Sequence, residues 1–367
     1  MKWWHKIILF FTILVSIALA GAYLAMYVSP ESFWPLAFIG LGYLPILIAY
    51  LLFVFIWFFL RKKIFYILLV FLLLGFKAHL SYFSFGSLKK ADIEGKEVIT
   101  IMQYNVQGFD AYNKAGKYKN RDEIITNIAN AKPDILCLEE FNTYHNHPKE
   151  KSNMEMVLTA TGLQYHYYYK AFENTRSTRS FGLVIYSRYP IVDTGRLDYL
   201  SLSNLNSTIY ADIKINNDTI RVFCSHLQST QLSHYDLEFI EASNEAETDF
   251  DADRVTDKLK GSFALRSQEA DTVAVHIKKS PFPIISCGDF NDTPVSYTYR
   301  KMSGDLQDAF LERGFGIGAT YAPFPFIRID YQLFDKDKFE IVDFKRIKEG
   351  SSDHYGCVTE FTINPEQ

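Results

Sequence analysis

The chain has 367 residues, of which 48% are hydrophobic and 16% aromatic, a composition that excludes general intrinsic disorder. The formal net charge is −4, but residues 1–86 contribute six basic residues and only one acidic residue. The remainder therefore has 32 basic against 41 acidic residues, a net charge of −9. Because general binding to polyphosphate backbones depends on Lys and Arg, this acidic remainder disfavours a nonspecific nucleic-acid-binding domain.

Three apolar runs at the start of the chain predict a transmembrane module over residues 1–86. A helix needs about 20 apolar residues to cross a bilayer. The third run reaches this length only if Lys77 lies at the membrane interface. A cleaved signal peptide is the alternative for the first run, but no convincing small-x-small cleavage site follows it. The expected helices cover about 7–28, 33–60 and 64–84.

Basic residues flank this module unevenly. Lys2, Lys6 and the segment 61–63 are basic, whereas the loop 29–32 contains neither Lys nor Arg. The positive-inside rule then places the N-terminus in the cytoplasm. Three crossings of the cytoplasmic membrane would put the linker 87–97 and everything after it on the periplasmic or extracellular side.

The domain expected over residues 98–367 alternates short strands and helices. The spacing of apolar residues in 121–131 predicts a helix. The continuous apolar run 135–138 is typical of a strand buried on both faces. Because strands outnumber helices and the helices fall between them, we expect a layered α/β (α+β) fold with mostly antiparallel sheets. Further helices are predicted at 154–160 and 263–279, and strands at 98–106, 165–169, 181–186, 209–215, 219–225, 284–289, 328–334 and 357–361.

The segment 231–261 interrupts this alternation. It carries nine acidic residues, with Phe239, Ile240 and Phe250 interleaved among them. We interpret it as an insertion, either a solvated acidic loop, the preferred interpretation, or a lid over a site.

The four cysteines lie in or beside apolar runs, and no two form a C-x-x-C pair. A zinc or thioredoxin-type site is therefore disfavoured, and small buried side chains are expected. A disulfide remains open if the domain lies outside the cytosol. The cysteines are Cys137, Cys224, Cys287 and Cys357.

Polar residues recur where the predicted strands end. Each has an ordinary explanation as a turn residue, but their recurrence over six segments favours a shared site. They offer oxygen and imidazole donors without a thiolate cluster, a set that suits Mg²⁺ or Mn²⁺ rather than structural zinc. These residues are Asn105, Glu140, His226, Asp289 with Asn291, Asp330, and Asp353 with His354.

The end of the predicted strand 284–289 carries two side chains suited to hydrolysis. Strand alternation places Asp289 and Asn291 on one side, and Gly288 allows another group to approach closely. A carboxylate can activate water, and an amide can hold an oxyanion.

The order of these segments resembles the endonuclease/exonuclease/phosphatase superfamily, which has a DNase-I-like fold. The resemblance implies a four-layer sandwich of two packed sheets flanked by helices, with the site at one rim. It also implies hydrolysis of a phosphate ester with a divalent metal. The motifs that carry it are QYNV at 103–106, PDILCLEE at 133–140, SHL at 225–227, GDFN at 288–291, IDY at 329–331 and SDH at 352–354.

The resemblance also implies which residues would bind the metal. Glu140 and Asn105 would bind Mg²⁺ or Mn²⁺, and Asp353 would assist them. The superfamily more often has Gln where this chain has Glu139, so Glu139 is a competitor for the metal.

Roles in the reaction follow from the same resemblance. Asp289 would activate the attacking water, and Asn291 would hold the water or a phosphate oxygen. His354 would contact the phosphate, oriented by Asp330. His226 would donate to a second phosphate oxygen.

The expected function is a membrane-anchored, metal-dependent phosphodiesterase or phosphatase that acts outside the cytoplasm. The bilayer is an expected partner, and a lipid or small phosphodiester is the favoured substrate because the domain is acidic. An extracellular or periplasmic nuclease is the alternative with the same chemistry. A catalytically inactive membrane scaffold or receptor is the alternative of another class, and the competent side chains at all the expected positions argue against it.

Overall fold

A computed structural model describes most of the chain, and its described residues fall into two compact units. The helical unit comprises Met1–Tyr82, Gln228–Gln268 and Asp292–Lys301, and the sandwich unit comprises Phe83–Leu227, Glu269–Asn291 and Met302–Gln367. The described residues are 2–60, 62–87, 93, 95–110, 120–145, 151–174, 178–199, 206–230, 252–348 and 352–363.

The helical unit begins with six helices instead of three continuous spans. Among the described helices, α1 alone is long and apolar enough to cross a bilayer as a single helix. The pair α3 and α4 is bent by 70°, and the pair α5 and α6 by 62°, so the count reaches three only if each pair is one span. The helices are α1 Trp3–Ala25, α2 Pro30–Phe33, α3 Pro35–Leu41, α4 Tyr43–Phe59, α5 Ile64–Leu74 and α6 Phe76–Tyr82.

Glycines lie at both bends, and they correct the expectation of continuous helices over 33–60 and 64–84. Gly42 separates α3 from α4, and Gly75 separates α5 from α6. A Cβ on Gly75 would lie 2.0 Å from the ring of Tyr23, so this bend packs directly on α1. The apolar composition of these two runs does not by itself predict a bend in the helix.

The other helices connect the strands. The described part of the expected insertion is 252–261, which begins α10, whereas 231–251 lies outside the described residues. These helices are α7 Gln107–Asp110, α8 Arg121–Ala131, α9 Asn153–Thr161, α10 Ala252–Lys278, α11 Tyr297–Ser303 and α12 Ala309–Arg313.

Fourteen strands are described in the sandwich unit. The expected hairpin is confirmed, since β7 and β8 pair antiparallel from Ser207–His226 to Ile215–Asp218. The strands are β1 Ser84–Phe85, β2 Val98–Asn105, β3 Ile135–Tyr144, β4 Tyr165–Asn174, β5 Arg179–Ser187, β6 Ile191–Leu197, β7 Ser207–Ile215, β8 Asp218–His226, β9 Ile284–Asp289, β10 Gln307–Asp308, β11 Phe315–Gly316, β12 Asp330–Phe334, β13 Phe339–Ile347 and β14 Gly356–Ile363.

The strands form two six-stranded mixed sheets and one two-stranded ribbon. The first sheet has the order β10-β12-β9-β8-β7-β6, and the second has the order β13-β14-β2-β3-β5-β4. The pairs β8/β9 and β2/β3 are parallel, and the other pairs within these sheets are antiparallel. Two mixed sheets flanked by helices confirm the fold expected from the sequence.

Side-chain alternation along the strands produces two apolar cores. Ile99 and Ile101 of β2 belong to the core shared by the two large sheets. Met102 and Tyr104 of the same strand belong to a second core with α8 and α9. The sheets therefore pack face to face, and these helices cover the outer face of one of them.

The core between the sheets becomes polar towards one rim. On β9, Ile285 and Cys287 belong to this core, and Asp289 follows on the same face. The four cysteines are buried, as expected, and all four are free. The corresponding polar residues on β2, β3 and β8 are Gln103 with Asn105, Glu139, and His226.

Candidate active site

Three of the expected site residues form one row across the first sheet. In the strand register, His226 on β8 is the partner of Asp289 on β9. Asp289 is in turn the partner of Asp330 on β12. Backbone pairing therefore fixes the spacing of the three side chains. Each is buried, with 6% or less of its surface exposed.

Gly288 allows this row to form at the end of β9. Its φ is +147°, and a Cβ at this position would lie 2.0 Å from the carbonyl oxygen of Ser225 on β8. A side chain here would therefore push apart the strands that carry His226 and Asp289. The close approach predicted for Gly288 is present.

On the second sheet, a bulge in β3 separates two neighbouring carboxylates. The register between β3 and β5 shifts between Leu138 and Phe141, and Glu140 has a left-handed φ of 48°. Such a bulge redirects side chains. Glu139 keeps the core-facing orientation that alternation with Ile135 and Cys137 gives it, with no exposed surface, whereas the side chain of Glu140, at the bulge, is 34% exposed.

Asn105 links the two sheets at this rim. Its Nδ2 donates to Glu140 Oε1 over 3.2 Å and to Asp289 Oδ2 over 3.1 Å. Its Oδ1 accepts the backbone N–H of Gln107 over 3.0 Å. In this arrangement Asn105 orients the two carboxylates, and metal binding through its oxygen remains a prediction.

His354 is held by Asp330. Its Nδ1 lies 2.9 Å from Asp330 Oδ2, and its Nε2 lies 3.7 Å from Asp289 Oδ2. Burial would lower the pKa of His354, but Asp330 and Asp289 outweigh it and raise that pKa well above its usual value. The imidazolium form, with protons on both nitrogens, is therefore stabilised near neutral pH.

Asp289 lies at the centre of the cluster. Its Oδ1 accepts the backbone N–H of Asn291 over 2.8 Å, and its Oδ2 lies 3.8 Å from His226 Nε2. Burial raises the pKa of Asp289 to about 6, against the opposing effect of His354. A carboxylate that titrates near neutral pH is suited to accept a proton from water.

The donor set at the rim fits a divalent cation. His226 Nε2 and Asp353 Oδ1 are buried atoms without a hydrogen-bond partner among the described residues. Burial raises the pKa of the Asp353 carboxyl, and nearby Glu140 adds to this shift. A cation between these carboxylates would compensate their repulsion and satisfy the free oxygen.

A second group of possible metal ligands lies close together at the site, but it is less suited to binding a metal. Single ligand atoms of Asp289, Asp330 and His354 lie within 4.8 Å of one another. However, His354 and Asp330 already share a hydrogen bond. One donor pair of this group is therefore already engaged, and metal binding by Glu140 and Asp353 remains a prediction.

Glu139 belongs to a network beneath the site. Its Oε1 accepts from Cys224 Sγ over 3.3 Å, and its Oε2 accepts from Gln103 Nε2 over 2.8 Å. Gln103 Nε2 also donates to Asp330 Oδ1 over 3.0 Å. Burial raises the pKa of Glu139 well above its usual value. This carboxyl group is thus neutral, and both of its oxygens already accept hydrogen bonds. It does not reach the rim where Glu140 lies.

Two residues that contact the site were not among the expected site residues. Gln103 lies two residues before Asn105 on β2, so strand alternation would have placed it on the same face. Tyr321 forms a backbone bridge with His354, and its ring lies edge-on to the imidazole at 5.3 Å. Tyr321 comes from a loop with no regular spacing, and sequence reasoning had no signal for it.

All eight site residues expected from the sequence lie in this one cluster. Asn291, the least connected, donates from Nδ2 to the carbonyl oxygen of Leu227 over 2.9 Å. Its amide nitrogen is therefore occupied, and its contact with water or phosphate remains a prediction.

Comparison with known sequences identifies related proteins. The model of the Endonuclease/Exonuclease/phosphatase family matches residues 102–354. A second model, a domain of unknown function (DUF8431), matches residues 5–82. No curated protein sequence matches the chain significantly.

Several solved structures share the fold. The human Nocturnin catalytic domain with bound sulfate anion has 17% identity and a TM-score of 0.51, over 74% of this chain and 98% of that one. An endonuclease/exonuclease/phosphatase from Beutenbergia cavernae has 16% identity and a TM-score of 0.50, over 73% and 72%. A family protein from Bacteroides thetaiotaomicron has 15% identity and a TM-score of 0.50, over 74% and 99%. At these identities the likeness concerns the fold alone.

Proposed function

We propose that this chain, which belongs to the endonuclease/exonuclease/phosphatase family, is a membrane-anchored, divalent-metal-dependent phosphoester hydrolase. The observation that carries the proposal is the convergence of donors on Asp289. Its Oδ2 lies 3.1 Å from the amide of Asn105 and 3.7 Å and 3.8 Å from the Nε2 atoms of His354 and His226.

In the proposed reaction the side chains divide into a base and phosphate-binding donors. Asp289 accepts a proton from the attacking water, because its pKa of about 6 leaves it ionised at neutral pH. His354, protonated and held by Asp330, donates to a phosphoryl oxygen. His226 Nε2, which has no hydrogen-bond partner among the described residues, donates to a second phosphoryl oxygen.

Glu140 and Asp353 would hold the divalent cation, with Asn105 orienting Glu140. When bound at this position, a divalent cation would neutralise charge on the phosphoryl group and the leaving oxygen. Mg²⁺ and Mn²⁺ suit these oxygen donors.

The favoured substrate is a lipid or another small phosphodiester. The chain after residue 86 has a net charge of −9, which disfavours a long polyanion. The apolar helix α1 can hold the enzyme at a bilayer, where a lipid substrate is concentrated.

We further propose that the catalytic domain acts outside the cytoplasm. If α1 alone crosses the membrane, the chain crosses once, and if both bent pairs also cross, it crosses three times. Either of these odd counts would leave the sandwich unit on the side opposite to the basic N-terminus, whereas two crossings, with only one bent pair in the membrane, would leave it on the same side.

The test is an activity screen of the full-length protein in lipid nanodiscs with Mg²⁺ or Mn²⁺. Its substrates are phospholipid vesicles, a soluble phosphodiester, a phosphomonoester and duplex DNA. We expect metal-dependent cleavage of a phospholipid or the soluble diester. The control is the double variant Asp289→Ala, Asn291→Ala, which should be inactive on every substrate.

Cleavage of DNA with the lipids and small esters untouched would establish the nuclease alternative. Equal behaviour of the native chain and the double variant, both inactive with every metal, would support the scaffold or receptor alternative.

A further inference from the structure

The helical unit contains a piece of the catalytic family's own sequence. Residues Asp292–Lys301 belong to this unit, although they lie within the family match at 102–354. Asp292 follows Asn291 directly in the chain. The loop that leaves the candidate active site is therefore packed in the same unit as the apolar helices.

The first contact between the apolar helices and the loop 292–301 is a hydrogen bond donated by α6. Ser81 Oγ of α6 donates to the carbonyl oxygen of Pro294 over 3.2 Å, and also to Ala78 within its own helix. Ser81 is buried, with 8% of its surface exposed. The carbonyl of Pro294 is thus paired by a side chain of the apolar module.

A second contact between the helices and this loop depends on Gly40. A Cβ added to Gly40 of α3 would lie 2.6 Å from the carbonyl oxygen of Val295 and 2.8 Å from Ala25 Cβ. Distances this short do not occur for real side chains, so the loop backbone and the helix meet because Gly40 has no side chain. Gly42, two residues later, has no such constraint, because the nearest atom to its added Cβ is 3.5 Å away.

Further contacts lie beyond the end of α1. The guanidinium of Arg300 stacks on the ring of Tyr27 at 4.4 Å. Gln268 of α10 donates to Glu31, and the hydroxyls of Ser267 and Ser29 lie 3.5 Å apart. The module thus contacts both the loop and α10.

The start of the loop is itself fixed within the helical unit. Asp292 is buried, and its Oδ2 lies 3.5 Å from Arg266 Nη1. Its Oδ1 accepts the backbone N–H of Thr293 over 3.0 Å. Arg266 Nε donates to the carbonyl oxygen of Gln228 over 2.8 Å. A displacement of the loop would therefore be transmitted to its first residue, one peptide bond from Asn291.

We infer that residues 5–82, the part that matches a domain of unknown function, are a docking surface for the loop 292–301 and hold Asn291 in its working position. This role rests on the proposed function, since it makes the apolar module a positioning element of the hydrolase as well as its anchor. The partner of the surface is the chain's own loop, recognised by Gly40, Ser81 and Tyr27.

The first test is hydrogen exchange measured by mass spectrometry on the full-length protein in nanodiscs. Gly40→Ala should accelerate exchange of the amides in 292–301 at least tenfold, because the new Cβ displaces Val295. Gly42→Ala is the matched control and should leave that exchange unchanged. This readout does not depend on any activity, so it tests the docking even if the proposed reaction is wrong.

The second test is kinetic. Gly40→Ala should lower kcat by ten- to a hundredfold, the cost typical of small misplacements at a reacting centre. The metal concentration for half-maximal activity should stay constant, because Glu140 and Asp353 lie outside the loop. Ser81→Ala should have a smaller effect in the same direction, and Ser81→Thr, which keeps the hydroxyl, should restore the native rate.

Three results would overturn the inference. Native exchange of 292–301 in both Gly40→Ala and Ser81→Ala would refute the docking. Equal acceleration in Gly42→Ala would show general loosening of the helices. Accelerated exchange with an unchanged kcat would refute the positioning role.

Discussion

His354 Nδ1 lies 2.9 Å from Asp330 Oδ2, and both residues are buried. Asp330 begins β12, whereas His354 lies just before β14. This contact leaves His354 Nε2 directed towards Asp289, 3.7 Å away. The carboxylate therefore fixes both the orientation and the charge of the imidazole.

Replacement of this carboxylate by an amide tests its contribution. Asp330→Asn should lower kcat by about a hundredfold or more, because a neutral partner no longer stabilises the imidazolium. The measurement is steady-state kinetics on the substrate found in the screen. Asp337→Asn, at the exposed turn after the opposite end of β12, is the control and should be neutral. A native rate for Asp330→Asn would contradict the assigned role of the pair.

The neighbouring carboxylates Glu139 and Glu140 form a matched pair for testing the metal site. Chelation should abolish activity, and Mg²⁺ should restore it. Glu140→Gln should raise the metal concentration for half-maximal activity by about ten- to a hundredfold. Glu139→Gln should leave it close to native, since Glu139 is buried away from the rim. The reverse order of effects would move the metal to Glu139.

The pKa of Asp289 predicts an acid limit of activity. Burial raises this pKa to about 6, so the carboxylate is ionised above that pH and protonated below it. A protonated carboxyl cannot accept a proton, so kcat/KM should fall as the pH drops below about 6. Saturating metal favours the ionised form and should move the limit to lower pH. A profile at limiting metal that stays flat down to pH 5, with circular dichroism unchanged, would exclude Asp289 as the base.

The close strand contact at Gly288 predicts a large loss of stability. Gly288→Ala should lower the free energy of unfolding by about 2–4 kcal/mol, because the methyl group meets the carbonyl of Ser225. Gly261→Ala is the control, as no atom lies within 4 Å of its added Cβ, and it should be neutral or stabilising by up to about 1 kcal/mol. Thermal unfolding of both variants in nanodiscs is the measurement. An unchanged Gly288→Ala protein would mean that the strands separate easily here.

The fold could be predicted from the regular periods of the sequence, and the grouping of the site residues from the strand-end motifs that resemble those of the family. Alternation in the strand 284–289 puts Asp289 on the same face as the buried Cys287. The family motifs then relate Asp289 to His354, which is far away in the chain. Backbone pairing in a sheet is regular, so residues at the ends of neighbouring strands meet in space.

The remaining features depend on local deviations from these periods. The bulge at Glu140 is one extra residue in β3, and the run 135–140 contains no Gly or Pro to signal it. The bends at Gly42 and Gly75 lie within runs whose composition reads as continuous helix. The position of Tyr321 is set by the path of a loop, which no short-range pattern encodes.

The row formed by His226, Asp289 and Asp330 has a consequence for how the proposed hydrolase could acquire new substrates. The spacing of these three residues is set by backbone pairing between β8, β9 and β12, and it does not depend on the loops around the rim. Natural selection or a protein engineer can thus exchange those loops to admit another ester while the reacting groups keep their places. Chimeras that graft rim loops from relatives onto this frame are a direct way to explore new specificities.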